Sequence, residues 1–277
     1  MALNRDNTIL VQELDTGREI ARMEHDDLLS DVVFSPDGKH IVSGSYDNTI
    51  RVWEVVTGLE VARMDHESFV YVIALSPDGK YVASGSDDFT SRVWEVFTGK
   101  EIARVKQENS VVDVAFSPDG KYVASGSFDR TILVWEALTG KEIAHMTHDD
   151  LVTSVVFSPD GKYIVSGSYD KTARGWEIAT GKEVARVVHD GEVWSAELSH
   201  DGEYIISYSA DITDADISTH VSLWQSDDLI DSTCAVMPRN LTRAEWAQFI
   251  GDALPYQAVC PNLPIEAEII LTPTTVP

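Results

Sequence analysis

Only two cysteines stand in 277 residues, which is too few for a disulfide framework to hold a chain of this size. Basic residues are scarce as well: 21 lysines and arginines against 46 aspartates and glutamates, a formal net charge of -25. Nucleic-acid binding needs a basic footprint that neutralises phosphates, so no nucleic acid is expected as a partner. The acidic excess reads either as solubilising self-repulsion or as a surface that draws in a basic partner. No stretch approaches the roughly 18 to 20 consecutive apolar residues of a membrane helix. The start, MALNRDNTIL, lacks the basic, apolar and small-residue succession of a secretion signal. These absences set the expectation of a soluble, cytoplasmic chain with no membrane partner. A GxxxxGKS or GxxxxGKT phosphate loop, an HExxH zinc motif and a GxSxG nucleophile elbow are missing too. No catalysis, cofactor or metal is therefore expected.

What is present is one stretch written four times, clearest in VVDVAFSPDGKYVASGSFDRTILVWEALTG at 111–140. Its Trp135 has counterparts at Trp53, Trp94 and Trp176, a step of 41 residues each time. A fixed period of this length marks a copied supersecondary unit that must stack on its neighbours to bury its faces. Each copy holds four short apolar or alternating runs separated by turn signals, the pattern of four antiparallel strands. In the copy at 70–106 the runs are VYVIALS, YVASGS, SRVWEV and EIARV, and Pro77, Asp78 and Gly79 supply the chemistry of a tight turn.

Polar residues repeat in the same phase. Ser43, Ser84, Ser125 and Ser166 fall on the 41-residue step, as do Asp47, Asp88, Asp129 and Asp170. His25, His66, His148 and His189 follow it, but Gln107 stands where another histidine is due. At this point residues 7–225 resemble the WD-repeat family of β-propellers. In that family a histidine, serine, aspartate and tryptophan form a hydrogen-bonded tetrad in each blade. The resemblance implies tetrads His25, Ser43, Asp47, Trp53; His66, Ser84, Asp88, Trp94; and His148, Ser166, Asp170, Trp176. The family's Trp-Asp dipeptide is Trp-Glu here, at Trp53 and Glu54 and in the next three copies. Serine, histidine and aspartate together also suggest an acyl-transfer triad. A set copied around a ring reads instead as structure, and histidines 41 residues apart belong to different blades and make poor metal ligands.

The pattern frays at both ends. NTILVQELDTGREIARM aligns with a third and a fourth strand only, with Gln12 in the tryptophan place. After the four complete copies come VWSAELS, YIISYS and HVSLWQ, the last preceded by a long acidic loop in DITDADISTH. The expected fold is all-β: a propeller of four complete blades with partial blades at both ends over 1–225, followed by a short helical tail over 226–277. WD-repeat rings usually have seven blades. The shortfall implies a longer parent, a ring that closes in an unusual way, or closure across two subunits by self-association through incomplete blades, and REIARM is a candidate to complete the last blade. In the tail, Thr242, Glu245 and Gly251 mark a helix by its capping box and stop. The stretch CAVMPRNLTRAEWAQFIGDALPYQAVCPNLP resembles a tail that follows the propellers of large bacterial WD-repeat proteins. Cys234 and Cys260 flank it, as a disulfide or as two thiols, and Ile265–Thr272 reads as a short strand.

Positions that vary between copies are the candidates for binding. Just before the turn aspartate stand Tyr46, Asp87, Phe128, Tyr169 and Ala210. At the start of the first strand stand Leu28, Phe69, Ser110, Leu151 and Glu192, followed two residues later by Ser30, Tyr71, Val112, Thr153 and Trp194. The resemblance places these on one face of the ring. Tyr46, Phe69, Tyr71, Phe128, Leu151, Tyr169 and Trp194 are the candidate binding residues there, since aromatic groups anchor protein interfaces. Asp26, Asp27, Glu67, Glu108, Asp149, Asp150 and Asp190 form an acidic rim that suits a basic or mixed protein or peptide surface. The expected function is a non-catalytic interaction module, the sensor or scaffold propeller of a larger bacterial signalling protein. The alternative is a small-molecule-binding or enzymatic propeller that uses its central channel.

Overall fold

The computed structural model describes residues 2–5, 7–199, 201–210 and 217–223. Among them every regular element is a strand, 22 in all. Repeated turn chemistry makes the hairpins. In the SPDG turn the Ser35 hydroxyl donates to Asp37 Oδ1 at 2.6 Å, the same oxygen accepts the Lys39 N–H, and Gly38 takes a φ of +69°. Ser76, Ser117 and Ser158 repeat it. The glutamate of each Trp-Glu pair has its own use. Thr57 Oγ1 donates to Glu54 at 2.6 Å, and Thr98, Thr139 and Thr180 do the same to Glu95, Glu136 and Glu177, which pins the turn into the fourth strand.

The strands form six antiparallel sheets in chain order. The first contains β1 (Ala2–Arg5), β2 (Thr8–Gln12) and β3 (Glu19–Glu24). The second contains β4 (Leu29–Phe34), β5 (His40–Ser45), β6 (Thr49–Glu54) and β7 (Glu60–Asp65), and the third β8 (Val70–Leu75), β9 (Tyr81–Ser86), β10 (Thr90–Glu95) and β11 (Glu101–Lys106). The fourth contains β12 (Val111–Phe116), β13 (Tyr122–Ser127), β14 (Thr131–Glu136) and β15 (Glu142–Thr147). The fifth follows with β16 (Val152–Phe157), β17 (Tyr163–Ser168), β18 (Thr172–Glu177) and β19 (Lys182–Val188), and the sixth with β20 (Glu192–Leu198), β21 (Tyr204–Ala210) and β22 (Ile217–Leu223).

Four complete blades with a partial blade at each end are thus borne out, with three corrections. The first copy has three strands rather than two, because Ala2–Arg5 pairs along β2. REIARM is β3 and pairs with β2, so its hydrogen bonds complete the first sheet and not the last. The acidic stretch before Trp224 is not all loop, since β22 begins at Ile217. The proposed tail, with its helix at 242–250, Cys234, Cys260 and the Ile265–Thr272 run, lies outside the described residues.

First strands of successive sheets pack in series, β4 on β8, β8 on β12, β12 on β16 and β16 on β20, and make the inner wall. The cores lie between sheets rather than within them. Val42, Ile50 and Val52 of the second sheet close on Val70, Ile73 and Val82 of the third. Burying each such side chain is worth about 1.5 to 3 kcal/mol, so a sheet is stabilised by its neighbour more than by itself. One glycine in each of the second to fifth sheets lets the next sheet approach closely. A Cβ on Gly85 would meet Val111 O at 2.8 Å, and one on Gly126 would meet Val152 Cγ1 at 2.8 Å. The same position in the sixth sheet is Tyr208, which is exposed, and β21 alternates in burial where β5, β9, β13 and β17 are covered on both faces. The sixth sheet thus lacks the glycine on which the second to fifth sheets receive their neighbours.

Candidate interaction surface

Each complete sheet has an upper end, where the loop entering the first strand meets the turn between the second and third strands; Tyr46 N–H, for example, donates to Leu28 O. The SPDG turns lie at the opposite end. Three of the blades close their upper end with one polar network. In the second sheet Trp53 Nε1 donates to Ser43 Oγ at 2.8 Å, Ser43 Oγ lies 2.7 Å from His25 Nε2, and His25 Nδ1 lies 2.8 Å from Asp47. The order of donors follows from the chemistry. The indole can only donate, so the serine hydroxyl hands its proton to Nε2, and the remaining imidazole N–H points at the carboxylate. The third and fifth sheets repeat this with His66, Ser84, Asp88, Trp94 and His148, Ser166, Asp170, Trp176.

Burial holds the pKa of His25, His66 and His148 below the ordinary imidazole value, despite the aspartate beside each. Burial works against the charge on the aspartates as well. Hydrogen bonds from His66, Thr90 and the Glu67 N–H nonetheless take the Asp88 carboxyl well below the usual range, and equivalent bonds do so for Asp47 and Asp170. The serine hydroxyls are fully buried and accept an indole N–H. They are out of reach of a substrate, and the tetrads act as structure.

Sequence reasoning missed a fifth member of the network. Arg51, Arg92 and Arg174 stand two residues before the tryptophan, almost fully buried, with the guanidinium carbon 5.7 to 5.9 Å from the indole centroid. Arg92 reaches Asp88 at 2.7 Å, Thr90 Oγ1 at 2.8 Å and Glu101 at 3.4 Å. Arg51 and Arg174 also reach out to Asp26 and Asp149, and Glu67 is 3.9 Å from Arg92. Three acids of the expected rim therefore neutralise buried arginines, while Asp27 and Asp150 hold the N–H of Leu28 and Leu151. The signal was the 41-residue step itself, on which all three arginines lie.

The variable positions meet in pairs across blade junctions. Tyr46 of the second blade lies 5.2 Å from Phe69 and 5.9 Å from Tyr71 of the third, ring centroid to centroid. Tyr169 of the fifth blade lies 5.2 Å from Trp194 of the sixth. Between them the equivalent junction is polar: Asp87 accepts from Ser110 Oγ at 2.6 Å and from Tyr71 Oη at 3.3 Å. Partial burial and the Asp87 charge push the Tyr71 phenol up. Phe128 and Leu151 occupy the corresponding places of the fourth and fifth blades, with no ring contact between them. The aromatic residues are thus brought together as two separate clusters and not as one centre.

The backbone explains how Tyr71 and Trp194 come to face outward. In every first strand from β4 to β20 the register slips at one residue, so that Val70 pairs with Ser86 and Val72 with Gly85. Tyr71 and Trp194 are the residues left unpaired by this bulge. A bulge bends the strand and re-aims its extra side chain, here toward the upper end. Phe69 and Trp194 are 43% and 51% exposed, enough for each to offer most of a ring face to a partner.

On the inner wall Asp31 and Asp113 break the repeat, where the other blades have Val72, Ser154 and Ser195. Asp113 accepts the N–H of Val114 and, at 2.7 Å, that of Val155 in the next blade; Asp31 does the same for Val32 and Ile73. Burial pushes Asp113 up to about 7 and raises Asp31. Both carboxyls tie one inner strand to the next. Among the described residues no group of histidine, cysteine, aspartate or glutamate is arranged to hold a metal ion.

The fold agrees with one family of known propellers. A family model described as IFT122 first beta-propeller matches residues 1–227. No curated protein matches the chain.

Proposed function

We propose that this chain, which belongs to the IFT122 first beta-propeller family, is a non-catalytic module that binds a protein or peptide across the upper ends of its blades. The family supports interaction in general; the face, the partner and the setting are our reading. The observation that carries it is the pair of aromatic clusters, Tyr46 and Tyr71 with the exposed Phe69, and Tyr169 with the exposed Trp194, at the end where the acidic loops gather. The repeated histidine, serine, aspartate and tryptophan of the second, third and fifth blades already serve the fold. A net charge of -25 favours a basic segment, steered in by a field that salt screens over about 8 to 10 Å. The larger setting we favour is a cytoplasmic bacterial signalling protein in which the propeller is sensor or scaffold. A catalytic or small-molecule channel is the weaker reading, because both oxygens of its symmetry-breaking groups, Asp31 and Asp113, are bonded to backbone N–H groups.

Matched basic, neutral and acidic peptide libraries over the immobilised protein test this. Basic peptides should bind, Tyr71→Ala and Trp194→Ala should each weaken binding by tenfold or more, and Asp150→Ala should slow association and reduce its salt dependence. Binding that survives both aromatic changes but is lost on altering the SPDG end, for instance with Tyr122→Ala, would place the site on the wrong face.

A further inference from the structure

The fourth blade keeps the serine, tryptophan and turn aspartate but has Gln107 for histidine and Leu133 for arginine. The glutamine does not stand in for the imidazole. Its Nε2 donates to Thr131 Oγ1 at 3.1 Å and to Thr131 O at 3.4 Å. In the second, third and fifth blades that threonine hydroxyl accepts instead from arginine Nε. With arginine gone, the amide head is drawn to the threonine, and the amide orientation is set by the carbonyl it must donate to.

Three polar atoms are left behind. Gln107 Oε1, Ser125 Oγ and Trp135 Nε1 have no protein partner, and they make up three of the seven such buried atoms among the described residues. Ser125 and Trp135 are fully buried and Gln107 is 3% exposed, so bulk water does not reach them. The equivalent serine and indole atoms of the sister blades are hydrogen-bonded at 2.8 to 2.9 Å, whereas here none of the three atoms is hydrogen-bonded to another. Native interiors rarely leave such groups unpaired, and internal water is the usual remedy.

The inventory of donors and acceptors selects the occupant. The indole only donates, the amide oxygen only accepts, and the hydroxyl does either. A cation would be repelled by the indole N–H, and an anion by the amide oxygen. A single water accepts from Trp135 Nε1–H, donates to Gln107 Oε1 and shares a third bond with Ser125 Oγ, the coordination typical of buried water. We propose that one buried water bridges Gln107, Ser125 and Trp135 and takes the place of the missing histidine ring in the fourth blade.

The test uses the whole chain labelled with 15N. Cross-relaxation from water to the indole N–H should appear at Trp135 and be absent at Trp53, Trp94 and Trp176, with indole signals assigned from single Trp→Phe variants. Gln107→His should abolish the Trp135 cross-peak and move its indole shift into the range of the other three. No cross-peak at Trp135, equal cross-peaks at all four, or a cross-peak that persists in a folded Gln107→His protein would each overturn the proposal. The wild-type spectrum decides alone if the variant does not fold.

Discussion

The third and fourth blades share a backbone register, turns and a packed apolar frame, yet they seal their upper ends differently. In the third, Asp88 answers four partners at once: His66, Arg92, Thr90 and the Glu67 N–H. In the fourth, Asp129 takes the Thr131 hydroxyl, its N–H and the Glu108 N–H, with no cation or ring beside it. Leu133, where arginine stands elsewhere, packs with Val111 and Trp135. In the fourth blade histidine and arginine are replaced together. An arginine in that place without full pairing would be a buried, uncompensated charge, and removing one partner of such a pair costs more than replacing the pair with apolar groups.

The largest expected effect breaks the comparison at its aspartates. Asp88→Ala leaves Arg92 and His66 buried without their partner and should cost about 3 to 5 kcal/mol. Asp129→Ala removes hydrogen bonds to a hydroxyl and backbone groups, each worth about 0.5 to 1.5 kcal/mol net. Urea midpoints of the two variants would check this, and equal losses would mean that the arginine network stabilises nothing.

Exchanging the pairs sharpens it. His66→Gln with Arg92→Leu should cost less than the sum of the single changes, with a coupling of roughly 0.5 to 3 kcal/mol. Gln107→His with Leu133→Arg should stabilise the fourth blade by about 1 kcal/mol, the scale of one or two recovered hydrogen bonds. Additive single effects in a double-mutant cycle would show that the two positions vary independently.

Much of this was open to sequence reading, because a period of 41 residues exposes any position that repeats. The tetrads, SPDG turns and four complete blades were legible for that reason. Arg51, Arg92 and Arg174 were equally in phase, but an arginine on a strand reads as solvated until its burial is known. The strand at Ala2–Arg5 is four residues without alternation, and although Asp6 after it is a turn signal, the run itself gave pattern reading nothing to work with. Bulges are a matter of pairing between strands, and no single run could show that Tyr71 and Trp194 stand out of register. Nor could it show that the variable aromatics meet across junctions, since that depends on how far one blade leans over the next. Tyr208, by contrast, sits where four glycines repeat, and its meaning needed only the close approach of Val111 and Val152 to be seen.

Acid provides a smaller effect with a defined sign. Burial lowers the His66 pKa below its unfolded value of about 6.5. As pH falls through 6.5 the unfolded chain takes up a proton that the folded blade refuses, so this contribution is present above 6.5 and is lost toward the folded pKa. His66→Gln should flatten the dependence of stability on pH between about 7 and 5.5, and Gln107→His should steepen it, each by on the order of 1 kcal/mol. Melting midpoints across that range would check it. A Gln107→His protein with the wild-type slope would mean that its new ring is not sealed in as His66 is.

The smallest effect asks whether the backbone shares in the difference between the blades. The residue after each turn aspartate is left-handed: φ is +71° at Asn48, +68° at Phe89, +77° at Arg130 and +66° at Lys171. Asparagine tolerates this region, whereas most side chains with a Cβ are strained there by about 1 to 2 kcal/mol. Phe89 and Arg130 are both exposed, so replacing either side chain gives up little buried surface. Phe89→Asn and Arg130→Asn should therefore each stabilise the protein, by about 0.5 to 1 kcal/mol after some packing is lost. If the turn is the same device in both blades, the two gains should agree within about 0.5 kcal/mol, the usual limit for independent sites. Equal gains in urea midpoints would locate the contrast between the blades in the polar cluster alone. A gain confined to one blade would show that the turn yields to the network above it, and that Gln107 and Leu133 have altered the backbone as well as the side chains.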